Sequence, residues 1–176
     1  MMTFEQYRLQ SERTLNPDCK PDTDNYLLGM IGELGEVTEL VKKFLYHGHQ
    51  MQRDLLCKEL GDLCFYVAAE ATRNNLFLRY GSIGDLELIE PVTPGSLCRA
   101  AARCIANYDT LIEGSRPLLV EAASELCYIL RIVECIAAWF SRFNLTMDEI
   151  LQTNIDKLLI RYPDGFSPAA SLQRTA

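Results

Sequence analysis

Histidine is nearly missing from this chain, which narrows its chemistry at the outset. His47 and His49 are the only two. Neither lies three residues after a glutamate, so the Glu-x-x-His motif of di-iron carboxylate bundles is not available. As an HxH pair they could offer two imidazoles to zinc, but no third ligand stands near them. A helix end, where histidine complements the dipole, is the better account of them. The seven cysteines, Cys19, Cys57, Cys64, Cys98, Cys104, Cys127 and Cys135, are odd in number and form no CxxC pair. They read as reduced, small core residues. No apolar run approaches the roughly 20 residues needed to cross a bilayer, and MMTFEQYRLQ lacks the form of a secretory signal. A soluble cytoplasmic protein with no membrane partner is the expectation. Basic residues are too few for a nucleic-acid polymer: 17 against 24 acidic give a net charge of −7. That balance still admits a nucleotide bound through metal ions.

What the chain does have is carboxylate, arranged in a pattern. Glu33 and Glu36 in GELGEV are three residues apart, and so are Glu59 and Asp62 in KELGDL. On a helix that spacing puts each pair on one face, with Cβ atoms roughly 5–6 Å apart. Leu27, Ile31, Leu34, Val37 and Val41 step along one predicted helix, and Leu56, Leu60, Leu63 and Val67 along the next. The acids lie beside both stripes, so two packed antiparallel helices would converge four carboxylates. Such a group needs neutralising, and a hard divalent ion, Mg²⁺ first, is the natural occupant. An exposed acidic face paired with lysines is the competing reading. Gly32, Gly35 and Gly61 weaken the helices by roughly 1 kcal/mol each relative to alanine, which points to close approach of something to the backbone.

With 176 residues, 48% of them hydrophobic, the chain can fill one core, and a single domain over 1–176 is expected. The fold class is all-α, a bundle of about five to six helices. Thr3-x-x-Gln6 opens the first as a capping box, which stops before Asn16-Pro17. Pro21 to Asp24 offers N-caps for the helix carrying Glu33 and Glu36, and Gly48 ends it. Residues 77–94 read as a connecting excursion. Helices over 95–112 and 117–143 follow, then a last one opened by Thr146-x-x-Glu149. Sliding the sequence by 66 positions lays Gly95 on Gly29, Glu125 on Glu59 and Leu126 on Leu60, but Arg99 on Glu33, Ala102 on Glu36 and Tyr128 on Asp62. The inserted segment, 77–143, thus reads as a second helical hairpin, a degenerate copy that does not repeat the acidic cage. The tail after Ser167 is expected to be loosely held.

Basic residues stand where a phosphate chain could use them. Lys43 lies seven residues past Glu36, on nearly the same face and roughly 10 Å further along; a solvated helix-end lysine fits it as well. Asn154, Lys157 and Arg161 share one edge of the last helix, before the Tyr162-Pro163-Asp164-Gly165 stop.

GELGEV, VKK-x3-HGH, KELGDL and N-x2-KL-x2-RYPDGF, in that order, resemble the MazG-like nucleoside triphosphate pyrophosphohydrolases. The likeness covers most of residues 3–76 and 144–167. The family's ExxE…ExxD signature would be Glu33-x2-Glu36, 22 intervening residues, and Glu59-x2-Asp62. Glu36-x2-Glu39 also fits its first half. The resemblance implies a Mg²⁺-dependent enzyme, with Mn²⁺ as a substitute, that cleaves a nucleoside triphosphate to the monophosphate and pyrophosphate. It implies Glu33, Glu36, Glu59 and Asp62 as metal ligands, and Glu36, Glu39 and Lys43 in catalysis. Substrate contacts would fall to Lys43, Asn154, Lys157, Arg161 and Tyr162. Family members pair subunits, so a homodimer is expected, or a monomer if the inserted hairpin replaces the partner's. A noncatalytic helical interaction or nucleotide-binding module, and a phosphohydrolase acting at another phosphate, are the alternatives.

Overall fold

The computed structural model describes residues 2–17, 24–78, 93–113 and 119–172. It is all-α, with no strand among the described residues. The helices are α1 (Phe4–Glu12), α2 (Asn25–Tyr46), α3 (Arg53–Arg73), α4 (Pro94–Glu113), α5 (Leu119–Trp139), α6 (Met147–Arg161) and the short α7 (Pro168–Leu172). Most of the 77–94 excursion, Cys19 and residues 21–23 lie outside the described residues. No described helix is long and apolar enough to cross a membrane.

The helix ends follow local chemistry. Both halves of the Thr3–Gln6 capping box form at α1. At α6 only half does: Thr146 Oγ1 accepts from the Glu149 backbone at 3.3 Å. The Glu149 carboxylate is drawn instead to Arg53, whose guanidinium also donates to the Phe143 and Asn144 carbonyls. α2 stops at Tyr46, and Gly48 beyond it takes a left-handed φ of +70°. Asp24 stands at the N-cap position of α2 without a side-chain capping bond. Gly165 ends the turn after α6 with φ +98°, its added Cβ position 3.3 Å from the Arg13 carbonyl. Arg13 in turn donates to the Pro163 carbonyl at 2.8 Å and receives the Phe166 N–H at 3.2 Å. The turn is therefore seated on the end of α1. After Ser167, where a loosely held tail is expected, Pro168–Leu172 forms a short helix, and residues 173–176 lie outside the described residues.

α3 is the central helix, with α2, α1, α6 and α5 packed around it; α4 pairs with α5 and lies against α2. One hydrophobic cluster runs through both hairpins, α1 and α6. Along α3 Leu56, Leu60, Leu63 and Val67 are all buried, as expected. On α2 the stripe is Tyr26, Met30, Leu34, Val37 and Val41, whereas Ile31 is 52% exposed. Met30, not Ile31, follows the helical phase set by Leu34 and Val37.

The second hairpin matches the first unevenly. In α5, Ala122, Leu126, Ile129 and Val133 are buried where the 66-position slide lays them on Leu56, Leu60, Leu63 and Val67. In α4 the buried residues Leu97, Ala101 and Tyr108 fall one place later than the slide puts them, at Ser96, Ala100 and Asn107.

Candidate functional site

Close approach between α3 and α6 assembles the site. Gly61 permits it: a Cβ there would lie 3.0 Å from Asn154 Cβ and 3.1 Å from the Ile150 carbonyl oxygen. The expectation that a glycine between acids marks a close neighbour holds for Gly61. It fails for Gly32 and Gly35, which have nothing within 4 Å. Gly29 has a neighbour of its own, with the Tyr66 ring 2.2 Å from its Cβ position.

On that framework Glu33 of α2 meets Glu59 and Asp62 of α3, each with a ligating oxygen within 4.8 Å of the others. Among the described residues this is the one such group large enough to hold an ion. Burial, then the charges of Asp62, Glu59 and Glu36, push the Glu33 carboxyl up to about 7, with Lys157 acting the other way. Glu59, 2% exposed, is raised chiefly by burial and by Glu36 and Asp62, while Lys58 lowers it. Its carboxylate lies 3.4 Å from the Lys58 ammonium.

From α6, Lys157 sets its ammonium against Asp62 Oδ1. Asn154 Nδ2 donates to the same oxygen at 2.7 Å. Tyr7 of α1, buried at 0% exposure, donates to Asn154 Oδ1, also at 2.7 Å. The trio opens into a cleft of about 360 Å³. Glu36, Lys58, Lys157, Arg161 and Tyr162 line it, together with aromatic residues including Phe65, Tyr66 and Phe166. Tyr162 and Phe166 stack at a tilt, ring centroids 5.6 Å apart.

Nearly every site residue expected from the sequence lies here, but not in equal standing. Glu36 is exposed on the cleft wall and stands outside the close trio. Asn154 is 2% exposed, its amide bonded to Asp62 and Tyr7. Glu39 and Lys43 are elsewhere: they pair with each other at 3.4 Å, and neither lines the cleft. Glu39 also pairs with Lys42 and forms part of a larger, mostly apolar cavity of about 790 Å³ between α2 and α4. Helical geometry explains this displacement. Each three-residue step falls about 60° short of a full turn, so by Glu39 the row has rotated from the α3 side toward α4. Lys43 lies in the last turn of α2, whereas the cleft's α2 wall ends at Glu36. His47 and His49 are exposed, ring centroids 6.5 Å apart, and belong to no ion-binding group among the described residues.

Lys58 and Tyr7 were not singled out from the sequence. Lys58 could have been flagged by its place beside Glu59. Nothing local marks Tyr7, whose partner lies 147 residues away.

No family model matches this chain, and no curated protein or solved structure does either.

The donor set suits a hard cation. Three carboxylates with ligating oxygens within 4.8 Å of one another supply oxygen ligands only, the donor type a hard divalent ion takes. Burial first, and the neighbouring carboxylates after it, raise Glu33 and Glu59.

Proposed function

We propose that the chain is a Mg²⁺-dependent nucleoside triphosphate pyrophosphohydrolase, with Mn²⁺ as a substitute ion. The observation that carries this reading is the convergence of Glu33, Glu59 and Asp62 in one cleft beside Lys157 and Arg161. The resemblance of its four ordered motifs to the MazG-like family supports it further.

Glu33, Glu59 and Asp62 would hold the ion, with Glu36 at the cleft wall completing or adjusting the set. A divalent ion held there would neutralise phosphate oxygens and lower the pKa of a water molecule. Lys157, Arg161 and Lys58 supply positive charge to the triphosphate and leaving group. Glu36, exposed on the cleft wall, would take a proton from the attacking water. Tyr162 and Phe166 offer an aromatic wall to the base or sugar. Water adds to the α phosphorus as its bond to the bridging oxygen breaks, and pyrophosphate leaves with that oxygen. No protein nucleophile is required, since positioning and electrostatics supply the rate. Glu39 and Lys43, being paired outside the cleft, receive no role.

The packing of α4 and α5 on α2 and α3 supports a bundle completed within one chain, in place of a partner's hairpin. The deciding experiment incubates purified protein with a nucleotide panel, with and without Mg²⁺, and resolves the products. Monophosphate and pyrophosphate are expected only with metal; orthophosphate as the sole inorganic product refutes α attack, and no turnover refutes the enzyme.

A further inference from the structure

We propose that Tyr7 is a positioning residue for the acidic trio, acting through Asn154 to fix the Asp62 carboxylate; this rests on the metal-binding reading of the cleft. Tyr7 is fully buried on α1 and lines no part of the cleft. It reaches the trio by two bonds: its hydroxyl to Asn154 Oδ1, and Asn154 Nδ2 to Asp62 Oδ1.

The direction of this chain of bonds is set at its Asp62 end. An ionised carboxylate only accepts, so the amide must turn its nitrogen toward Asp62. The amide oxygen then faces α1 and needs a donor, which the tyrosine hydroxyl supplies. Without that hydroxyl the oxygen of a 2% exposed side chain loses its partner. An unsatisfied buried acceptor is unfavourable, so the amide loses one of the two bonds that hold its plane.

The consequence falls on the carboxylate. Asn154 and Lys157 both bind Oδ1, which leaves Oδ2 outside these two bonds. The rotation of the Asp62 carboxylate is thus set from behind by α6, and the α6 amide is set in turn by α1. Gly61 completes the arrangement: it lets Asn154 come close, and its carbonyl lies 3.4 Å from the Tyr7 hydroxyl. Groups that orient metal ligands from behind typically change metal affinity about 10- to 100-fold when removed. A tyrosine that merely filled space would show no such effect.

The test is Mn²⁺ binding by the full chain, read from the electron paramagnetic resonance of free Mn²⁺, with circular-dichroism melting alongside. Wild type should bind, and Tyr7→Phe should bind about ten-fold or more weakly while remaining folded. Asn154→Ala should show a similar loss, and adding Tyr7→Phe to it should weaken binding no further. Equal affinity of Tyr7→Phe and wild type overturns the proposal, as does a Tyr7→Phe effect that persists undiminished without Asn154. Should Tyr7→Phe not fold, Asn154→Ala decides alone, wild-type affinity overturning the proposal. A wild-type chain that takes up no Mn²⁺ defeats the metal reading itself, an outcome distinct from the others.

Discussion

Lys157 on α6 holds its ammonium against Oδ1 of Asp62 on α3, so one edge of the acidic trio already faces a cation. A metal ion and this lysine draw on the same carboxylate. Lys157→Met should therefore tighten Mn²⁺ binding about two- to five-fold, the equivalent of up to about 1 kcal/mol for a partly exposed pair. Hydrolysis should fall about 100-fold, because the phosphate loses a cation. Titration calorimetry and pyrophosphate release give the two numbers. If both fall together, Lys157 supports the acids and does not compete with the ion.

Glu33 carries a cost that the metal-free chain bears alone. Burial and the neighbouring Asp62 and Glu59 disfavour its charge. Glu33→Gln should raise the melting temperature in chelator at pH 8 by about 2–4 °C, the shift that about 1 kcal/mol gives a chain of this size. The same variant should lose most of the thermal stabilisation that Mg²⁺ confers on wild type. Scanning calorimetry with and without Mg²⁺ tests this; a variant that melts lower in chelator shows the carboxylate to be structural.

Two glycines beside acids should respond in opposite directions. Gly61→Ala drives a Cβ against Asn154 and the Ile150 carbonyl at about 3 Å, and should cost about 1–3 kcal/mol. Gly35→Ala meets nothing within 4 Å and should gain about 1 kcal/mol from helix propensity. Urea unfolding of both variants decides, and equal effects would contradict the α3–α6 approach described above.

Far from the cleft, Glu70 joins the two hairpins. Its Oε1 accepts from Tyr108 at 2.8 Å and Asn74 at 2.7 Å, and its Oε2 lies 3.5 Å from Arg73. At 2% exposure it cannot be removed without stranding these partners. Glu70→Ala should destabilise by about 3 kcal/mol while leaving Mn²⁺ affinity of the folded protein unchanged. A loss under 1 kcal/mol in equilibrium unfolding would show that the cluster contributes little.

How much of this was legible depends on distance along the chain. The all-α class, the helix starts at Thr3 and Thr146 and the stop at Gly48 follow from local spacing and capping, and the structure has them. Of the four carboxylates expected to converge, Glu33, Glu59 and Asp62 do so; three-residue spacing brought Glu36 to the same cleft but not within reach of the other three. Glu39 and Lys43 were misplaced because extending that row ignores its slow rotation about the helix axis. Ile31 was misassigned because it too stands three residues before an apolar position, Leu34, although Met30, four before Leu34 and seven before Val37, fits the phase of the buried stripe better. The Tyr7–Asn154 bond could not be read at all: two polar residues at opposite ends of a chain announce nothing about each other.

The seating of the Tyr162–Gly165 turn on Arg13 ties the end of α6 to the end of α1. All four candidate acidic ligands lie on α2 and α3, whereas Asn154, Lys157 and Arg161 lie on a helix separated from them in sequence by the second hairpin. A chain cut before Asn154 would keep the acids and Lys58 but lose the α6 wall, and so would have the negative pole of the cleft without the cleft.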